Sequence, residues 1–95
     1  MAKMKHTDKA IRRDFALRLK AVRKAAGFQH MMTFARELGI EPEAYRRWER
    51  GETEPGIANL SKITEITGVS LDFLVAGKLK ATEIEKPNPP LSYIR

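Results

Sequence analysis

Apolar residues recur along the first part of this chain at intervals of three or four, the period of a helix that buries one face. The first such row lies within residues 8–26 and predicts a helix there, with Thr7 as its N-cap and Gly27 as its stop. The members of the row are Ile11, Phe15, Leu19 and Val22.

Four shorter helices are predicted downstream, over residues 32–38, 42–50, 57–67 and 71–76. Pro42 suits the first position of a helix, Ser70 suits an N-cap, and a glycine follows each predicted helix. Helices this short need tertiary packing to persist, so residues 8–77 are predicted to form one all-α unit of five helices. The side chains expected to face inward are Phe34, Ala35, Leu38, Tyr45, Trp48, Leu60, Ile63 and Ile66.

Both ends of the chain differ from this helical unit. Residues 1–7 read as a basic N-terminal arm, for which disorder in the free protein is the favoured interpretation. Residues 78–95 read as a short extended tail: residues 78–85 alternate weakly, as in a short strand, and residues 86–90 are rich in proline. The tail ends with three apolar side chains, Leu91, Tyr93 and Ile94.

Composition narrows the classes of function. The 95 residues include no cysteine, which excludes disulfides and thiolate catalysis, and no apolar run is long enough to cross a membrane. A secretory signal is not expected, and the chain is short for a catalytic fold. The formal net charge is +6, and it is concentrated: residues 1–24 carry +7, whereas the remainder carries −1. Such a cluster fits DNA, RNA or an anionic membrane, or simply a solvated basic helix.

The stretch of residues 32–50 carries the most functional information. A small residue at Ala35 allows a close helix crossing, Gly39 makes a turn, and Tyr45 is placed to fix the second helix against the first. This is the layout of a helix-turn-helix, in which the second helix enters the major groove of DNA.

The chain resembles the five-helix domains of the Cro and lambda-repressor type at several linked motifs. These are Ala35-x-x-Leu38-Gly39-Ile40, then Tyr45-Arg46-Arg47-Trp48-Glu49-Arg50-Gly51, then Pro55 and Leu60, and finally the run from Ile66 to Leu74. The resemblance implies a cytoplasmic, non-enzymatic regulator of transcription without cofactor or metal. It implies a repressor that binds double-stranded DNA sequence-specifically, as a homodimer on a near-palindromic operator.

The resemblance also assigns roles to individual positions. It implies a structural ion pair between Arg23 and Glu49. The positions implied to read bases are Pro42, Glu43, Arg46 and Arg47; Glu43 could instead only complement the helix dipole, and Arg46 could meet a phosphate. The positions implied to contact phosphates are Gln29, His30, Thr33, Arg36, Arg50 and Thr53. The dimer candidates are Phe73, Leu74, Val75, Leu91, Tyr93 and Ile94.

Two departures from the family keep a second function open. Met31 stands where the family usually has a phosphate-clamping glutamine, so Gln29 or His30 would have to replace that clamp. The loop after the predicted recognition helix carries Glu52 and Glu54, which would repel a DNA backbone. The alternative is therefore a protein-binding adaptor or antitoxin-like module with weak or no DNA binding, which could hold its partner through the C-terminal tail.

Overall fold

The chain folds into helices that follow the predicted order closely. A computed structural model describes the backbone of residues 2–77 and the side chains of residues 9–77. Within that span every regular element is helical, which confirms the predicted fold class. The helices are α1 (Ala2–Ala25), α2 (Met31–Leu38), α3 (Pro42–Arg50), α4 (Ile57–Thr67) and α5 (Asp72–Ala76), the last wound as a π-helix. The predictions made for residues 78–95 lie outside the described residues.

Helix α1 begins six residues earlier than the sequence predicted. It starts at Ala2, so the arm predicted over residues 1–7 is helical from its second residue, and Thr7 is not an N-cap. Alanine, lysine and methionine dominate residues 2–5, and all three are strong helix formers. Because no glycine or proline interrupts them, they extend the helix beyond the local capping signal.

The core lies where the first four helices meet α5. Five large side chains are fully or almost fully buried at its centre: Leu19, Phe34, Tyr45, Ile63 and Leu74. The ring of Tyr45 meets that of Phe34 edge to face, with centroids 5.5 Å apart, and meets that of Trp48 at 5.6 Å. This geometry is favourable for aromatic pairs, and it packs α3 against α2.

Two residues predicted to face inward are largely outside the core. Ile11 is 47% exposed, because it faces an open hollow between α1, α5 and the loop before α4. Ile66 is 37% exposed, and the next residue, Thr67, is buried in its place. The Thr67 hydroxyl donates to the Ile63 carbonyl at 2.6 Å, so the polar atom is satisfied inside the helix.

Helices α1 and α3 approach each other closely at Gly51, the residue that ends α3. Its φ of +76° lies in the left-handed region. A Cβ atom at this position would stand 3.4 Å from the Arg13 Cα and 3.6 Å from the Arg12 carbonyl oxygen. The left-handed φ therefore favours glycine here, and the end of α3 lies within van der Waals range of the α1 backbone.

Candidate nucleic-acid interface

A buried ion pair fixes α3 to α1. The Arg23 Nε donates to Glu49 Oε2 at 2.7 Å, and the two side chains are only 4% and 6% exposed. Arg23 Nη1 also donates to the carbonyl oxygens of Phe28 and Gln29, at 2.8 and 2.7 Å. The hydroxyl of Tyr45 donates to Glu49 as well. The residues for which the resemblance implied a pair are thus in direct contact, and the pair also holds the connection between α1 and α2.

The protonation states of this cluster follow from its burial. Desolvation raises the pKa of Tyr45 far above its ordinary value, the hydrogen bond to the Glu49 carboxylate raises it further, and the Arg23 charge only partly opposes this shift. Burial alone would lower the pKa of Arg23, but the hydrogen bond and charge of Glu49 outweigh it, so that pKa is raised. The phenol is therefore neutral and the guanidinium charged throughout the physiological range.

The outward face of α3 presents the residues implied to read bases. Tyr45 and Trp48 point into the core. Arg46 and Arg47 lie three and four residues after Glu43, so these three side chains share the opposite side of the helix. Pro42 is half-buried at the start of the helix, Arg46 is half-buried, and Glu43 and Arg47 are exposed. These side chains are within reach of a ligand outside the helix.

Glu43 interacts with both arginines of this face. One carboxylate oxygen of Glu43 accepts a hydrogen bond from Arg46 Nη1, and the other lies 3.9 Å from Arg47 Nε. The side chains are between 38% and 55% exposed, so the contacts are solvated and weak. In this state the two guanidinium groups are held by a protein carboxylate that a ligand would have to displace.

The positions implied to contact phosphates at the start of α2 lie on the surface. Gln29, His30, Thr33 and Arg36 are all exposed. His30 occupies the N-cap position without a side-chain hydrogen bond to the helix. Met31, at the position of the family's glutamine, packs partly against the core, so this side chain is used for packing.

The acidic loop after α3 lies beside basic side chains. The Glu52 carboxylate is 3.6 Å from Arg50 Nη1, and the Glu54 carboxylate is 3.8 Å from Arg12 Nη1 on α1. Thr53, between them, is exposed. Because each acid has a basic neighbour, the loop repels polyanions less than its sequence implies.

Part of the basic charge of α1 is committed to contacts inside the domain. Arg18 donates from Nε to the Leu74 carbonyl at 3.0 Å and from Nη2 to the Val75 carbonyl at 2.7 Å. Arg12 Nε lies 3.4 Å from the carbonyl oxygen of Gly51. With Arg23, which donates to carbonyl groups in the connection after α1, these residues are committed inside the domain, and less of the +7 charge faces solvent than the sequence implied.

One basic residue at this surface was absent from the predicted site. Lys20 of α1 lines a shallow depression together with Arg46 and Arg50 of α3, and the Arg23–Glu49 pair and Met31 line it as well. Lys20 lies three residues before Arg23, hence on the same side of α1, and this spacing is the sequence signal that could have found it.

The dimer candidates of α5 divide into buried and exposed residues. Leu74 is fully buried, so its selection as an interface residue was wrong: its side chain completes the core of its own domain. Phe73 packs partly against that core. Val75 is 38% exposed, and Leu71, one helical turn earlier, is 48% exposed. The candidates Leu91, Tyr93 and Ile94 lie outside the described residues.

This geometry is that of a helix-turn-helix domain, and comparison with known proteins agrees. The family model described as "Helix-turn-helix" matches residues 19–74, which is more than half of the chain. The chain therefore belongs to the helix-turn-helix family of Cro and lambda-repressor type, as the sequence predicted. This is a non-enzymatic family, in agreement with the prediction that the chain is not an enzyme.

Two relatives carry names that refer to transcription. An uncharacterized HTH-type transcriptional regulator of Haemophilus influenzae is 39% identical over 61 residues, which are 64% of this chain and 26% of the relative. The SPbeta prophage-derived uncharacterized HTH-type transcriptional regulator YonR of Bacillus subtilis is 42% identical over 65 residues, 66% of this chain and 57% of that protein. The chain thus matches between a quarter and somewhat more than half of their lengths. No solved structure matches it significantly.

Two absences among the described residues bear on other classes of site. None of the described helices has both the length and the apolar character that a membrane crossing requires. The same residues hold no group of three acidic or histidine side chains arranged to bind a metal ion.

Proposed function

We propose that this protein is a DNA-binding regulator of transcription that reads double-stranded DNA with α3. The observation that carries the proposal is the outward face of α3, which presents Arg46 and Arg47 while Tyr45, Trp48 and the Arg23–Glu49 pair anchor the opposite side. Readout of guanine edges in the major groove requires an anchored helix with outward-facing guanidinium groups, and the weak surface pairs with Glu43 can be displaced. Family membership and the names of the two relatives support the same function.

Phosphate contacts would surround this helix on both sides. At the start of α2, the exposed Gln29, His30 and Thr33 lie where backbone N–H groups and the helix dipole favour an anion, and Arg36 adds a charge. At the end of α3, Arg50 and Thr53 would contact the other side. To this set we add Lys20, which lies beside Arg46 and Arg50 in the depression over the buried ion pair. These contacts position the protein, whereas Pro42, Glu43, Arg46 and Arg47 supply specificity.

We further propose that the protein represses transcription in the cytoplasm as a homodimer bound to a near-palindromic operator. Two copies related by a twofold axis would place their α3 helices about 34 Å apart, one turn of DNA. The exposed apolar side chains of Leu71 and Val75 support a contact between copies on α5. Binding of half-sites by two copies would give a palindromic consensus when bound sequences are selected from a random duplex library.

Salt dependence of binding is the direct test of DNA recognition. Affinity for the selected duplex should fall steeply between about 50 and 200 mM salt, with a slope in log–log form of about −0.9 per phosphate contacted. Lys20→Ala should make this slope shallower by about 0.9, whereas Lys9→Ala, which removes the same charge from an exposed site eleven residues earlier on α1, should change it less. Absence of binding to any duplex at low salt would contradict the proposed function.

The alternative function is a protein-binding adaptor or antitoxin-like module on the same scaffold. The acidic loop and the C-terminal tail motivated it. Glu52 and Glu54 both lie near arginines, which reduces the repulsion of DNA and weakens the first of these two motives. It predicts no duplex binding at low salt and a partner protein held by residues 78–95. The salt titration therefore separates the two functions.

A further inference from the structure

An apolar groove remains open on the side of the domain where α1 meets α5 and the loop before α4. Ile11, Phe15, Pro55, Leu60 and Val75 line this α1–α5 groove, and the Arg12–Glu54 ion pair lies along it. Ile11 and Val75 are 47% and 38% exposed, which is unusual for two large aliphatic side chains that face the same hollow. The cavity measures about 210 Å³. Small-molecule sites usually measure about 300–1,000 Å³, so this groove fits one or two side chains better than an effector.

The groove adjoins the point at which the described chain ends. Val75, in its wall, is two residues before Gly77. Arg18 fixes this end of α5, because it donates to the carbonyl oxygens of Leu74 and Val75. A Cβ on Gly77 would lie 2.8 Å from Arg18 Nη1, so the chain passes directly over the guanidinium as it leaves the helix. The following residues therefore start from a fixed position beside the groove.

We infer that the chain's own C-terminal segment, Leu91 to Ile94, occupies the α1–α5 groove. This segment carries three apolar side chains, Leu91, Tyr93 and Ile94, which match the apolar walls. Thirteen residues separate it from Gly77. A linker of that length spans about 20 Å as a random coil and about 40 Å when extended, which is ample for a site that begins at Val75.

The short linker favours docking within one chain over exchange between two. A site joined to its ligand by a short linker experiences an effective concentration in the millimolar range, which exceeds any working concentration of a second copy. The docked segment would also cover Val75, one of the exposed residues that support the proposed homodimer. The segment thus limits association of free copies, and this last consequence, unlike the docking itself, rests on the proposed function.

Engineered disulfides test the docking, because the chain contains no cysteine of its own. The 95-residue Ile11→Cys/Tyr93→Cys variant should form an intramolecular disulfide under mild oxidation at least tenfold faster than Leu17→Cys/Tyr93→Cys. Leu17 is 65% exposed and lies about 120° around α1 from Ile11, so it is a matched control on the same helix. Val75→Cys/Tyr93→Cys is a second pair if the first perturbs folding, which circular dichroism detects.

The products distinguish the possible occupants. A monomeric disulfide, seen on non-reducing gels as a band of altered mobility, supports docking within the chain. A covalent dimer as the main product would show exchange between copies and overturn the inference, as would equal rates for the groove and control pairs. The 95-residue Ile94→Asp variant should be more dimeric than wild type in sedimentation velocity, and an unchanged or smaller dimer fraction would contradict the inhibitory role. Neither experiment contains DNA, so failure of the inference leaves the proposed DNA binding untouched.

Discussion

Removal of the Glu49 carboxylate should destabilise the domain far more than removal of any exposed acid. Glu49→Ala leaves the 4%-exposed Arg23 side chain with its backbone acceptors, Phe28 and Gln29, but without a counter-charge. It also removes the acceptor of the buried Tyr45 hydroxyl. Breaking a buried pair from one side costs about 3–5 kcal/mol, because the remaining charge is stranded away from water.

Glu52→Ala is the matched control for this prediction. The Glu52 side chain is 51% exposed and lies 3.6 Å from Arg50, so its loss should cost about 1 kcal/mol or less. In a domain of this size 1 kcal/mol corresponds to about 4–8 °C in Tm. Thermal unfolding followed by circular dichroism should therefore separate the two variants by roughly 10 °C or more. If the alanine variant is already unfolded, Glu49→Gln can replace it. Glutamine keeps a hydrogen-bond acceptor, so the Tm of this variant should lie below that of Glu52→Ala but above that expected for Glu49→Ala.

A double-mutant cycle distinguishes the ion pair from general loss of packing. Arg23→Met combined with Glu49→Leu removes both charges and fills the space, so the double variant should be more stable than the sum of the single losses indicates. Equal Tm shifts for Glu49→Ala and Glu52→Ala, or strictly additive losses in the cycle, would refute the role assigned to the pair.

Three further predictions concern α3. Arg47→Ala should weaken binding to the selected duplex by about 1–3 kcal/mol and relax specificity at one base pair, as measured by competition with single-base variants; unchanged discrimination would contradict base readout. Glu43→Ala should raise affinity for random duplex about two- to fivefold, since it frees two arginines from weak surface pairs, and lower affinity would show that Glu43 itself is a required contact. Tyr45→Phe should flatten the loss of stability above pH 10. The folded-state pKa of Tyr45 is raised, so its contribution is complete below the unfolded pKa of about 10 and declines above it, by about 1.4 kcal/mol at pH 11. Parallel pH profiles of urea unfolding for wild type and variant would refute that link.

The boundaries of the middle helices could be read from the sequence because local chemistry sets them. Pro42 cannot donate a backbone hydrogen bond and so opens α3, and Gly51 closes it with a left-handed φ. The hydroxyl of Ser70 accepts from the Phe73 N–H at 3.0 Å, which is the capping role its sequence position predicted. The start of α1 was mispredicted because the high helix propensity of residues 2–5 outweighed the capping signal of Thr7.

Features that depend on distant residues could not be read from the pattern. The apolar face of a single helix indicates which side is buried, but not which residues along that face a neighbouring helix covers. For this reason Ile11 and Ile66 were predicted in the core and Leu74 at an interface. The Arg23–Glu49 pair was reached only through the family resemblance. Arg18 contacts residues more than fifty positions away, and no local signal distinguishes it from the solvated arginines beside it.

The contacts of α1 have a consequence for protein engineering. The angle at which α3 projects from the domain is set by Arg23 and by the close approach at Gly51, and Arg23 lies outside the motif that gives the family its name. A transplant of residues 31–50 into a foreign scaffold would therefore carry the proposed base-reading residues but not the contacts that orient α3. Specificity could be exchanged between relatives only if the first helix travelled with the motif.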